Sequence, residues 1–281
     1  MDTKKLIMPS ILKKTALIFL CLFTLHISQA QNIKSDTVPA TKAEKKQEKK
    51  FYNFGQFAHE SWLFVKSPVT WDKYSWIRFG LAVGVTAALM PLDNAISKAT
   101  VGTKYYYSVP IVGGRVYGEW YSIGIVTVGF GTYGLIARDT NAKKISIELL
   151  QAGLYSEAVT YLLKCVIGRA RPYTGLGAFT FKPFSFADYA FNSMPSGHMT
   201  SAMALSTVMS RNAKKTFWKI MAYLPAAFTM ASRLYQGQHF FSDEIFGSCI
   251  GYFVGNWVVN LHKERKHHIK VPIDLGTPIP K

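Results

Sequence analysis

An all-α fold, a polytopic transmembrane bundle of about six helices, is what this 281-residue sequence predicts. Three observations predict it. Apolar runs recur at about 75–93, 119–137, 145–163, 198–211, 217–234 and 243–261, against the roughly 20 residues that cross a ~30 Å hydrocarbon core. The chain is 49% hydrophobic and 14% aromatic, yet its mean hydropathy is only +0.09, because those runs are averaged with very polar ends. The charge is +17, from 33 Lys+Arg against 16 Asp+Glu, and it gathers beside the runs, in residues 42–50, 211–219 and the tail after His262. Juxtamembrane clusters of this kind meet anionic headgroups and set orientation. Nucleic acid is set aside as a partner, because no nucleic-acid motif accompanies them. Nothing repeats at 20–50-residue spacing, so the length fits one domain with tails.

The segments follow in order. Residues 1–30 carry Lys4, Lys5, Lys13 and Lys14, an apolar run from Ala16 to Ile27, and Ser28-Gln29-Ala30, which reads as a signal peptide cleaved before Gln31. Residues 31–74 read as a lysine-rich polar linker, then an interfacial segment bearing Phe51, Tyr52, Phe54, Phe57, Trp62 and Phe64. Residues 75–262 form the expected membrane-embedded domain and 263–281 a basic tail. The run at 198–211 is short and starts on polar residues, so it is expected to begin in a polar cavity. Asp93, Glu148 and Glu157 are costly against lipid and should face the bundle interior or the interface. Gly247, Gly251 and Gly255 line one helix face and permit close helix approach.

Positive-inside counting uses Arg138, Lys143 and Lys144, then Arg211, Lys214, Lys215 and Lys219, then Lys263, Arg265 and Lys266. It places these groups in the cytoplasm. The expected location is therefore the inner membrane, multi-pass, with the active site facing the periplasm. Six full crossings would then leave residues 31–74 in the cytoplasm, which conflicts with a cleaved leader. Cys21 departs with that leader, and Cys165 and Cys249 are expected to be free thiols within helices.

Three polar islands interrupt the apolar second half: Lys164 with Arg171-Pro172, then Pro195-Ser196-Gly197-His198, then Ser232-Arg233 with His239 and Asp243. Six residues separate Lys164 from Arg171, five separate Arg233 from His239, and three separate His239 from Asp243. On a helix, seven residues return Lys164 and Arg171 to one face, ~10 Å apart along the axis, and Pro172 ends the helix at Arg171. Arg169 is a bystander in this reading. Pro195 and Gly197 suit a turn opening a helix, whose free amides, with the Ser196 hydroxyl, suit an anion. His198, ordinarily titrating near 6.5, sits where it can protonate a leaving oxygen. His239 and Asp243, four apart, share a helix face, so the carboxylate is expected to take one ring N–H and leave the other nitrogen as a nucleophile. Three cations, two histidines and a carboxylate are what phosphoryl transfer needs.

Together the islands resemble, position by position, the signature of the type 2 phosphatidic acid phosphatase family, whose superfamily includes bacterial acid phosphatases and vanadium haloperoxidases. The resemblance covers about residues 145–261. It implies His239 as a nucleophile forming a phosphohistidine, Asp243 orienting it and His198 as general acid. It implies Lys164, Arg171, Ser196, Gly197 and Arg233 as the phosphoryl cradle. No metal and no other cofactor is implied, and the sequence holds no carboxylate cluster of magnesium type and no Cys/His zinc spacing. His59, His262, His267 and His268 read as interfacial or tail residues. The expected substrate is a lipid phosphate or pyrophosphate met at the bilayer: undecaprenyl pyrophosphate, phosphatidic acid, phosphatidylglycerol phosphate or a lipid A phosphate. An acid phosphatase for small phosphomonoesters and a vanadium-dependent haloperoxidase remain open alternatives, as does the oligomeric state.

Overall fold

The computed structural model describes residues 52–102, 107–185 and 188–270, with side chains described as far as residue 263. The expected signal peptide, residues 31–50 of the linker and the end of the tail lie outside the described residues. The chain divides into two compact units, Met1–Trp76 and Ile77–Lys281. In the first, α1 (Phe54–Lys66) is capped by Asn53, whose side chain accepts from the Gln56 amide at 2.8 Å. Its buried Glu60 accepts from Tyr52 Oη at 2.5 Å and Gln56 Nε2 at 2.8 Å.

The second unit is built of helices, with a long loop over 168–196 between two of them that carries the isolated bridge Arg169–Phe181. It opens within α2 (Lys73–Leu89), and a 3-10 turn at Met90–Leu92 leads to α3 (Asp93–Thr100). Then come α4 (Val109–Gly118), α5 (Trp120–Ile136), α6 (Thr140–Ile167), α7 (Gly197–Asn212), α8 (Thr216–Met221), α9 (Leu224–Tyr235) and α10 (Phe241–Lys270). Among the described residues the continuous stretch Lys73–Thr100 alone is both long and apolar enough to cross a membrane, and α5 is apolar but shorter. The expectation of about six spans therefore reduces to helices of mixed polarity. α6 and α10 are 28 and 30 residues long, ample in length, but their buried faces carry Glu148, Gln151, Asp243 and Glu244. The expected single segment at 217–234 is two helices, broken at Ala222–Tyr223. Pro225 starts α9, where its missing N–H costs nothing. The outer faces carry exposed apolar side chains, among them Leu81, Ile125, Val128 and Leu162.

α7 is the hub, packed against α4, α5, α6, α8, α9 and α10. Its buried side includes the small residues Thr200, Ser201, Ala202, Ala204, Ser206 and Thr207 beside Met199, Leu205 and Val208, and where the small ones lie other helices approach closely. The Gly247, Gly251, Gly255 face of α10 does lie on it: a Cβ at Gly251 would stand 2.3 Å from Thr200 O, and one at Gly247 2.5 Å from Ser196 O. Those distances leave no room for a side chain, so the glycines fix the α7–α10 separation, and with it the spacing of Ser196 from the start of α10. Cys165 and Cys249 are free, as expected.

Candidate active site

The C-terminal end of α6 delivers the first island. The helix stops at Ile167, where Gly168 adopts φ 60°, a left-handed conformation that suits glycine. A Cβ there would stand 1.8 Å from Lys182 O, so no other residue fits. Lys164 and Arg171 consequently do not share a helix face, contrary to expectation: the helix ends four residues before Arg171, which lies in extended backbone at φ −81°, ψ 151°. Lys164 Nζ donates to Asn192 O at 2.7 Å. Arg171 donates through Nε to Tyr189 O at 3.0 Å and through Nη1 to both Gln238 O and Oε1 at 3.1 Å. Its guanidinium also lies 4.0 Å from the Tyr189 ring centroid.

Arg169, expected to be a bystander, is the most connected side chain at the site and is wholly buried. Nη1 donates to Asp243 Oδ1 at 2.6 Å and Ser242 Oγ at 2.7 Å, Nη2 to Asp93 Oδ2 at 2.7 Å, and Nε to Ala178 O at 2.8 Å. Asp93 faces the interior, as its cost in lipid requires. It also accepts from the Ser242 amide at 2.9 Å. This ion triad pins the loop after α6 and the start of α3 to the start of α10.

The second island opens α7 as expected. Ser196 is its N-cap, fully buried, with Oγ accepting from the Met199 amide at 3.3 Å. Gly197 and His198 form its first turn. A Cβ at Gly197 would meet nothing nearer than Glu157 Oε2 and Lys164 Cε at 3.8 Å. Gly197 therefore lies in ordinary contact with the Lys164 and Glu157 side chains, at the positive end of the α7 dipole.

The third island departs from the expected geometry. α10 begins at Phe241, so His239 lies outside the helix and the four-residue spacing does not put it against Asp243. His239 Nδ1 is 2.7 Å from the Ser193 carbonyl. A carbonyl only accepts, so the ring carries its proton on Nδ1 and its lone pair on Nε2. Asp243 Oδ2 instead accepts from Ser193 Oγ at 2.6 Å and the Phe240 amide at 2.8 Å. Asp243 therefore meets His239 only at one remove, through Ser193 and the backbone next to the histidine. Burial pushes the His239 imidazole well below its ordinary value of 6.5, and the charges of Arg171, Lys164 and Arg233 push the same way. Arg233, in the last turn of α9, donates through Nη1 to Gln236 Oε1 at 2.7 Å.

The eight residues expected at the site lie at the ends of α6, α7, α9 and α10 or in the loops beside them. Lys164, Arg171, Arg233 and His198 all bear electrostatically on His239, and the Ser196 amide bonds the Asp243 carbonyl at 3.1 Å. Buried polar atoms normally find partners. Here Asn192 Oδ1, Arg233 Nε and both Glu244 oxygens are buried without a hydrogen bond, and of these Arg233 Nε is a donor that an anionic ligand would satisfy. Sequence reasoning did not place four residues at the site: Arg169, Asp93, Ser193 and Glu119, whose Oε1 lies 3.2 Å from His198 Nε2. His262, read as a tail residue, is buried with Nε2 2.7 Å from Gln151 Oε1.

Residues 147–267 match the profile of the PAP2 superfamily, close to the stretch that the islands marked. A curated relative, the lipid A 1-phosphatase of Porphyromonas gingivalis, is 32% identical over 77 residues, which is 26% of this chain. The match spans 17% of that relative's length. The crystal structure of a transmembrane PAP2 type phosphatidylglycerolphosphate phosphatase from Bacillus subtilis is similar at TM-score 0.49 and 24% identity, over 66% of this chain and 94% of that one. Aquifex aeolicus LpxE is similar at TM-score 0.43 and 19% identity, over 60% of this chain and 93% of that one.

Proposed function

We propose that this chain, whose residues 147–267 form a PAP2 superfamily domain, is a metal-independent membrane phosphatase acting on a lipid phosphate or pyrophosphate through a phosphohistidine at His239. The observation that carries the reading is the state of His239: buried, with Nδ1–H bound to the Ser193 carbonyl and three cations acting on the ring. Nε2 attacks phosphorus while Lys164, Arg171, Arg233 and the first-turn amides of α7 hold the equatorial oxygens. Each charge-assisted contact contributes about 1.5–3 kcal/mol, and more where water is excluded. His198 gives its proton to the leaving oxygen, then takes one from the water that cleaves the phosphohistidine. The exposed apolar faces of the helices and the span at Lys73–Thr100 support a bilayer setting, which we assign to the inner membrane with the site facing the periplasm. The match to the Porphyromonas gingivalis lipid A 1-phosphatase supports taking lipid A 1-phosphate as the first substrate to test.

The pH dependence follows from His239. The nucleophile must be neutral, and its value is lowered, so it stays neutral as pH falls through 6.5. The acid limb of kcat/KM, which reports the free enzyme, is therefore expected below pH ~6.5, and a limb well above that value would contradict a buried neutral histidine. Substrate class is tested by phosphate release from the detergent-solubilised chain in excess EDTA. The panel is lipid A 1-phosphate, undecaprenyl pyrophosphate, phosphatidic acid, phosphatidylglycerol phosphate and a soluble phosphomonoester. Release from a lipid that EDTA does not affect is expected. Release only from the soluble ester would replace the lipid reading by an acid phosphatase, and loss in EDTA restored by a divalent ion would end the metal-independent mechanism.

A further inference from the structure

A carboxylate–imidazole pair does exist at the site, but on the other histidine. Glu119 lies between α4 and α5, before the PAP2 match begins. Its Oε1 stands 3.2 Å from His198 Nε2, with the two side chains 21% and 24% exposed. The atoms are at ion-pair distance without the alignment of a full hydrogen bond, a looseness common at catalytic contacts before substrate arrives. The contact with His198 holds the Glu119 carboxyl below its usual range, against burial, which raises it.

The corner that presents Glu119 is built to reach His198. α4 is tied to α7 by Tyr117 Oη and Ser206 Oγ, 2.9 Å apart, and to α9 by Thr229 Oγ1 donating to Gly114 O at 2.7 Å. Gly118 is pressed against His198 itself: a Cβ there would stand 2.9 Å from His198 O and 2.5 Å from Thr229 Cγ2. The charges bearing on His198 are Glu119, Arg233 and Lys164. Burial, most of all, and the two cations disfavour the imidazolium that a general acid must be, and Glu119 is the anion opposing them. Arg115, 3.9 Å from Glu119 and half exposed, is too solvated to cancel it.

We propose that Glu119 is the positioning residue for His198, fixing its ring and favouring its protonated form so that it can act as the acid toward the leaving oxygen. The inference rests on the phosphatase reading above. In the first step the ester P–O bond breaks as the His239 N–P bond forms, and the His198 proton on Nδ1, the nitrogen that Glu119 does not face, goes to the departing oxygen to give an alcohol. In the second, water adds to phosphorus, the N–P bond breaks, and the water proton returns to His198. Glu119 stays ionised throughout, so it changes no proton count.

The test uses the full chain in detergent as wild type, Glu119→Gln, Glu119→Asp and His198→Ala. Rate is read against pH on a lipid phosphate monoester and on p-nitrophenyl phosphate, whose leaving group needs no protonation. For Glu119→Gln we expect the alkaline limb of kcat/KM to move down by about one pH unit. At pH 8 we expect a loss on the lipid about tenfold larger than the loss on p-nitrophenyl phosphate, with Glu119→Asp restoring the limb. Equal losses on both substrates with an unmoved limb would make Glu119 merely structural and overturn the proposal. Should Glu119→Gln not fold, Glu119→Asp with the wild-type limb supports the charge requirement, and Glu119→Asp with a limb moved down a unit or more opposes it. If His198→Ala itself loses equally on both substrates, the acid role of His198 fails, and Glu119 with it, separately from the nucleophile at His239.

Discussion

Replacing His239 with Ala is expected to abolish phosphate release, by at least ~10⁴-fold, while leaving the fold intact. The ring is buried just before α10, and its Nδ1 hydrogen bond runs to the Ser193 carbonyl. Its loss removes little that holds the bundle together. It removes the only nucleophile in the proposed mechanism, and neither the cations nor the α7 amides can form a covalent intermediate in its place. A residual rate from electrostatic stabilisation alone belongs far below wild type. Phosphate release by the purified variant, beside its thermal unfolding curve, checks both halves of the expectation. A His239→Ala protein with substantial turnover would remove the assignment.

The second large effect lies at Arg169. Its guanidinium joins two buried carboxylates, Asp93 and Asp243, with all three side chains fully inaccessible. Replacing Arg169 with Leu leaves both carboxylates without their cation, and breaking a buried pair in this way typically costs 3–5 kcal/mol. That is a large fraction of the 5–15 kcal/mol by which domains are stable. We therefore expect Arg169→Leu to lower the unfolding temperature sharply or to prevent recovery of folded protein. Any folded fraction should also be impaired in turnover, because the triad fixes Asp243, and Asp243 fixes Ser193 and the Phe240 amide beside the nucleophile. Equal stability of wild type and Arg169→Leu would contradict a triad that organises the site.

What the sequence could and could not reveal follows from the range of the interactions. The helix start at Pro195-Ser196-Gly197-His198 was legible because capping is local: Ser196 bonds an amide three residues on. The close face of Gly247, Gly251 and Gly255 was legible because helical spacing alone aligns it. Rules of local spacing misled where the helix boundary was wrong. Four-residue spacing implied a direct His239–Asp243 contact, but α10 begins two residues after His239, and the intended carboxylate acts through Ser193. Seven-residue spacing put Lys164 and Arg171 on one face, but Gly168 ends the helix between them. Arg169 with Asp93, Glu119 with His198 and His262 with Gln151 are partners from distant segments, and no periodicity announces them. A signal was present even so: Asp93 in an apolar stretch asks for a buried partner. Hydropathy alone also passed over α4, whose glycines at 114 and 118 make it a packing element against α9 and His198.

The most direct measurement is of the covalent intermediate. The full chain in detergent and EDTA is mixed with lipid A 1-phosphate labelled in the phosphate, quenched in alkali within one turnover, digested and mapped; whichever lipid of the panel is turned over takes its place if that one is not. The account predicts an alkali-stable, acid-labile phosphoryl group on His239, absent from His239→Ala. Turnover of the lipid with no label on the protein, or with the label on another residue, would contradict it.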